Sequence, residues 1–220
     1  MLFSEETVKA NIRNREGKRV FFLAEGDTLT PSARDYLSRE RIPILSAQQA
    51  KIQEYQLENG AFFREKPENF THLRGNILVP KTHPVIAFRG KMDTLQAELL
   101  LAQLVCKAPG LSEILNLARN IIRWDVMQEP VKAERLLGLT EAELRAHSHN
   151  PQKYYRVPHF MPSCADGETI LRLNRCRCAA REAELAAVHA FAEARPDLLQ
   201  ALNRMSSAIY ILMIQEKQHP

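Results

Sequence analysis

The chain of 220 residues is 45% hydrophobic and 25% charged, the balance of an ordinary folding chain with room for one sizeable core and a small appended unit. No apolar run approaches membrane-spanning length, and the net charge of +4 is dispersed, without the clustered Lys and Arg interleaved with aromatics that a nucleic-acid surface needs. A mild positive excess of this kind suits a phosphorylated small molecule.

Met1 to Glu6 carry acidic residues and lack the basic-then-apolar order of a secretory signal, so the cytoplasm is the expected compartment. Residues 5–15 read as a short helix and residues 19–24 as a strand. Leu29-Thr30-Pro31 opens a second helix, with Thr30 as N-cap and Pro31 in the first turn. A brief strand over 42–45 and a further helix through Gln56 complete a predicted small α/β unit over residues 1–58, close to the lower size limit for folding alone.

Residues 59–90 lack helical periodicity and hold Gly60, Pro67, Gly75, Pro80 and Pro84, which predicts a long loop. Within it His72, Arg74, Asn76 and Lys81 are candidates for contacting a nucleotide's phosphate oxygens. They match no Walker or dinucleotide fingerprint, and solvated loop residues are the commoner explanation of such a set. Residues 91–220 read as helical: 93–107, opened by a capping box at Asp93 and Gln96, then 111–129, 140–147, 168–194 and 197–217. The predicted fold class is mainly α, a four- to five-helix bundle with a small N-terminal α/β unit, and bundles place ligand sites where polar residues on facing helices meet.

One stripe in the predicted helix 168–194 is apolar at both ends and charged in the middle: Ile170, Leu173, Arg177, Arg181, Glu184, Val188 and Phe191 recur at three- and four-residue steps. Burying ions costs several kcal/mol unless they are paired or meet a ligand. These three ions therefore either close on themselves, with Asp93 as a natural partner, and fix helix register, or form the floor of an anionic site. The last helix carries Asn203 and Ser206 on its own apolar seam.

Cys106, Cys164, Cys176 and Cys178 show no repeated CxxC spacing. Cys176 and Cys178 point roughly 200° apart on a helix and do not clasp one metal together. His147, His149, His159 and Cys164 lie near one another in sequence, where a polar loop rich in His, Asn and Pro outweighs a metal site. No metal ligand set is assigned.

Several segments together resemble the ATP:cob(I)alamin adenosyltransferases. The run from Pro80-Lys81-Thr82-His83 to Met92-Asp93-Thr94-Leu95 is similar to the family's loop into its first bundle helix. Arg177-Cys178-Ala179-Ala180-Arg181-Glu182-Ala183-Glu184 is similar to its Arg-x-x-x-Arg-Arg-Ala-Glu helix, and Leu202-Asn203-Arg204-Met205-Ser206 to its Leu-Asn-Arg-Leu-Ser signature. Leu29 to Asp35, Gln128-Glu129-Pro130 and Gly138 to Leu144 resemble the ethanolamine-utilization branch in particular.

The resemblance implies transfer of the 5′-deoxyadenosyl group of ATP to the cobalt of reduced cobalamin, with release of triphosphate. By analogy Arg181 meets the leaving group and Arg177 pairs with Asp93 on the corrinoid side. Glu184 holds Arg181 or a Mg²⁺ that screens ATP, and Asn203 hydrogen-bonds the nucleotide. Phe160, in His159-Phe160-Met161-Pro162, stands where the family sets an aromatic residue against the corrinoid's lower face, although an aromatic anchoring the loop to the bundle explains it equally well. The resemblance also implies a homo-oligomer, a trimer or dimer, with the site between subunits, and a setting in the cytoplasm or inside a bacterial microcompartment whose proteins the N-terminal unit could dock. The Gly-rich nucleotide loop of the propanediol branch is missing, as is the cysteine cluster that binds a divalent metal in some ethanolamine-branch members. A non-catalytic corrinoid- or nucleotide-binding scaffold is the competing class.

Overall fold

A computed structural model of the chain describes residues 1–15, 17–46, 55–132 and 134–218. The chain divides into two compact units, Met1–His83 and Pro84–Pro220. The third predicted N-terminal helix, running to Gln56, falls largely on residues outside those described.

The first unit is richer in strands than its sequence suggests. Strand β1 (Leu2–Phe3) is followed by helix α1 (Glu5–Asn11), strands β2 (Arg13–Arg15), β3 (Lys18–Leu23) and β4 (Thr28–Leu29), helix α2 (Pro31–Arg39) and strand β5 (Ile44–Ser46). Helix α1 stops four residues short of the predicted end because the chain turns back at Gly17, where φ is +76°, and pairs β2 antiparallel with β3. Thr30 caps α2 as expected, its hydroxyl accepting from the amide of Ala33. Val8, Phe21, Ala33, Tyr36, Leu37 and Ile42 form this unit's own core.

Most of the predicted loop over 59–90 is built instead into a four-stranded sheet that spans residues 55–80, and its last residues, from Pro84, open a helix. Strands β6 (Tyr55–Leu57), β7 (Phe62–Phe63), β8 (Phe70–Arg74) and β9 (Ile77–Pro80) lie in the order β7-β6-β9-β8. Strands this short hold too few residues for a period of two to stand out, and the glycines that suggested irregular chain are turns between strands. Gly75 has φ +54°, and a Cβ there would come within 2.2 Å of the carbonyl oxygen of Ile12. Only glycine lets the β8–β9 turn lie this close against residues 12–14.

The second unit contains the helical bundle. Helices α3 (Pro84–Val105) and α4 (Gly110–Met127) lead into a small hairpin of β10 (Arg135–Leu136) and β11 (Leu139–Thr140), then α5 (Glu141–His149), α6 (Pro151–Tyr155), α7 (Gly167–Phe191) and α8 (Pro196–Gln218). Helix α7 packs against both α3 and α8, while α4 packs on α3 and α8 and α5 packs on α8. Helix α3 begins at Pro84, nine residues before Asp93, so the predicted capping box does not form; Gln96 instead donates to the Met92 carbonyl within the helix. Thr140 and Glu143 form a capping box at the start of α5.

The charged stripe of α7 does not lie in the core. The buried face consists of Ile170, Leu173, Cys176, Ala179, Ala180, Ala183 and Ala187. Ala180 and Ala183 sit one position, about 100°, round the helix from Arg181 and Glu184, so the small side chains enter the core while the ions lie at its edge, Arg181 exposed and Arg177 and Glu184 half-buried. A buried ion pair does exist elsewhere. Arg89 on α3 donates through Nε (2.9 Å) and Nη2 (2.7 Å) to one carboxylate oxygen of Asp125 on α4, whose side chain is 2% exposed. Asp125 follows Ala118 and Ile121 at helical spacing on the apolar face of α4, a signal that the sequence reading passed over.

Candidate functional site

An open cleft of about 690 Å³ lies between α7, α8 and the loop that joins α6 to α7. Its polar floor is Arg177, Arg181 and Glu184 from α7 with Asn203, Ser206 and Ser207 from α8. The three- and four-residue spacings that defined the α7 stripe put these groups on one side of the helix. Leu185, Val188 and Met161 give the cleft an apolar rim, with Met161 90% exposed. A cleft of this size, apolar at the rim with a few convergent polar groups, has the form of a small-molecule site.

The ions are not paired as the sequence reading expects. Glu184 accepts from Nδ2 of Asn203 at 2.7 Å rather than from Arg181. Arg181 is exposed, and among the described residues it has no carboxylate partner. The guanidinium of Arg177 lies over the ring of Tyr210, 5.5 Å from its centroid, not against a carboxylate. Asp93 is exposed on α3, does not line the cleft and forms no ion pair with Arg177 of its own chain.

Tyr210 on α8 organises the loop over the cleft. Nε2 of His159 donates to the His149 carbonyl at 3.0 Å, and a carbonyl only accepts, so neutral His159 carries its proton there. Its Nδ1 then accepts from the Tyr210 hydroxyl at 3.1 Å, while that oxygen accepts from the Phe160 amide at 3.4 Å. The Phe160 ring is half-buried and tilted against Tyr210, and Lys217 Nζ lies 5.0 Å from its centroid. Phe160 thus both lines the cleft and anchors the loop. Lys217 also pairs with Asp166 at the start of α7; that hydrogen bond and those from Ser163 hold the Asp166 carboxyl below its ordinary value of 3.8.

The four phosphate candidates from 59–90 all lie in the first unit. Asn76 is buried, and its side chain bonds both the backbone N–H and C=O of Asn14, pinning the β8–β9 turn. Lys81 pairs with Glu68 at 3.2 Å on the surface. His72 and Arg74 are exposed on β8, and burial, then the nearby Arg13 and Lys66 charges, lower the His72 pKa. The structure gives Asn76 a structural role, because an amide with both ends committed to backbone has little left for a ligand.

Among the described residues no three His, Cys, Asp or Glu side chains are grouped to hold a metal. His147 stacks on Tyr154 and bonds the Tyr155 hydroxyl at 2.8 Å, apart from the His159 interactions. Cys106 and Cys176 are buried, and burial pushes the Cys176 thiol up to about 12, which removes it as a nucleophile at neutral pH. The cleft is built to bind and orient charged groups, with no activated nucleophile of its own.

The sequence model of the family described as Cobalamin adenosyltransferase matches residues 61–216. The chain is 32% identical to the Corrinoid adenosyltransferase EutT of Salmonella typhimurium strain LT2 over 249 aligned positions, covering 99% of this chain and 93% of that protein. It is 30% identical to the protein of the same name from Escherichia coli strain K12, covering 96% of this chain and 90% of its relative.

Proposed function

Because the chain belongs to the cobalamin adenosyltransferase family, we propose that its α7–α8 cleft is where ATP and a reduced corrinoid react. The protein is a corrinoid adenosyltransferase, and ethanolamine utilization is the setting that the branch resemblance supports. The observation that carries this reading is an unpaired arginine, Arg181, in an open cleft beside a second arginine and a hydrogen-bonded glutamate.

The cobalt lone pair of the Co(I) corrinoid attacks the ribose 5′-carbon, a Co–C bond forms, and the C5′–O5′ bond breaks with its electrons leaving on triphosphate. Since the substrate is the nucleophile, the protein's task is to hold the two substrates in line and stabilise the charge that accumulates on the leaving group. Arg181 has its donors available for that charge. Arg177, steadied over the Tyr210 ring, adds a second cation on the same side of α7. Glu184 gives one oxygen to Asn203, and its carboxylate would hold a Mg²⁺ that screens the phosphate charge, an ion usually bound through one or two carboxylates. The apolar rim with Met161 and Phe160 suits the broad hydrophobic face of a corrin, and the His159–Tyr210 bonds hold that loop in place.

The Asp93–Arg177 pairing implied by kinship falls to a second copy of the chain, because among the described residues neither has a carboxylate–guanidinium partner within one chain. The α3 surface beyond Asp93 exposes Leu100, Leu101 and Leu104, an apolar group suited to burial between copies. His72, Arg74 and Lys81 are kept as phosphate contacts of lesser weight.

An anaerobic assay with ATP, Mg²⁺ and chemically reduced cobalamin tests this reading. Adenosylcobalamin and triphosphate should accumulate together over many turnovers. Tight binding of both substrates with no triphosphate released would make the protein a carrier instead.

A further inference from the structure

Behind the cleft, on the opposite side of α8, lies a second and smaller cavity of about 120 Å³. It is bounded by the β10–β11 hairpin, the first turn of α5 and α8, with Leu136, Leu139 and Leu144 among its apolar walls. Arg204 projects into this cavity and does not line the cleft. Its side chain is 15% exposed, and its Nε and Nη1 are buried without a hydrogen-bond partner among the described residues. The Glu141 carboxylate stands 4.0 Å from Nε, the edge of ion-pair range. Keeping an incompletely satisfied guanidinium under cover is unfavourable, so what its remaining donor does calls for an explanation.

That donor, Nη2, bonds Oδ1 of Asn203, and Nδ2 of Asn203 donates to Glu184 Oε1 at 2.7 Å. The amide therefore lies between a cation at its oxygen and an anion at its nitrogen. The flipped amide would set NH₂ against guanidinium and C=O against carboxylate, two repulsions in place of two bonds. With Oδ1 turned to Arg204 behind the cleft and one N–H given to Glu184, the group the amide presents to the cleft is its second N–H.

We propose that Arg204 is a positioning residue of the reaction: from the cavity behind α8 it fixes the Asn203 amide, so that Asn203 holds Glu184 and recognises only hydrogen-bond acceptors on the nucleotide. This deepens the reading of the cleft as the substrate site and rests on it. Two consequences separate it from a merely structural arginine. Arg204 should matter only while Asn203 is present, and Asn203→Asp should be worse than Asn203→Ala, because the carboxylate keeps the Arg204 bond but offers no donor and sets a like charge beside Glu184.

The test is a double-mutant cycle on the full-length protein, with steady-state KM for MgATP, KM for cob(I)alamin and kcat measured for each variant and folding checked by thermal melting. Arg204→Met should raise KM for ATP or lower kcat by about tenfold in the wild-type background and by less than about twofold in the Asn203→Ala background, leaving KM for cob(I)alamin nearly unchanged. Arg204→Lys, which keeps the cation and one donor, should recover most of the loss, and Arg204→Leu, which also removes every donor, replaces Arg204→Met in the cycle if that variant does not melt cooperatively. Equal losses in both backgrounds, or no loss in either, overturn the proposal while leaving the cleft reading standing. If Asn203→Ala itself changes neither ATP parameter, the cleft reading falls and takes the role of Arg204 with it.

Discussion

Two groups of charged side chains in the helical unit are built in opposite ways. Arg89 and Asp125 close on each other between α3 and α4, with the carboxylate almost fully covered. Arg177, Arg181 and Glu184 share one side of α7 without an ion pair among them, open to a cleft of about 690 Å³. The first arrangement satisfies its charge internally and can specify only how two helices pack. The second leaves cationic donors unspent, which is useful to a protein when something anionic arrives to take them. Pairing, rather than charge or helical phase, separates the two groups.

The contrast is broken most directly at Arg181. Arg181→Ala should lower turnover by roughly 10²–10³-fold, as loss of a preorganised charge-stabilising donor does elsewhere, while the melting temperature stays close to wild type. A variant with wild-type turnover would remove the leaving-group role. Asp125→Ala should show the reverse: about 3 kcal/mol of stability lost in a urea titration, with specific activity of the folded fraction retained. Asp93 sharpens the comparison from between the two groups. Asp93→Asn and Arg177→Ala should each depress turnover alone, and mixing the two purified variants after mild dissociation should restore activity. Failure of mixing to restore any would place both residues in one chain's function. The smallest effect is expected at Asp166. Because its pKa is lowered in the folded state, its contribution is present above the ordinary carboxylate pKa and is lost as pH falls through the native value. Melting temperatures of wild type and Asp166→Asn should therefore differ at pH 6 and converge below about pH 4.

Much of the helical unit was legible in the chain itself. The helices now numbered α4, α7 and α8 are long enough for a 3.6-residue period to dominate, and Thr140 and Pro196 mark where the next ones start. The cleft residues Arg177, Arg181 and Glu184 were legible for the same reason, since helical phase puts them on one side of α7, whereas Asn203 stood out on the seam of α8 and meets Glu184 only through the packing of the two helices. What phase could not show was depth. Ile170 and Leu173 at the start of the stripe are buried, but from Arg177 onward it runs one position away from the true core face, because Ala180, Ala183 and Ala187 bury as readily as leucine but carry little weight in a hydrophobic pattern. The strands over 55–80 were hidden by their brevity. The partner of Asn76, Asn14 in sequence-distant β2, depends on a tertiary contact that no local spacing encodes.

The alanine-lined inner face of α7 has a mechanical consequence. Side chains this small let the helix sit hard against its neighbours, so it has no slack to absorb added bulk. A branched residue at Ala183 would push the whole rod outward and carry both the arginine before it and the glutamate after it away from their targets. Loss of catalysis would then arise from a substitution that meets neither substrate, and screening for activity defects along that hidden edge would map how tightly the reaction depends on the rod's seating.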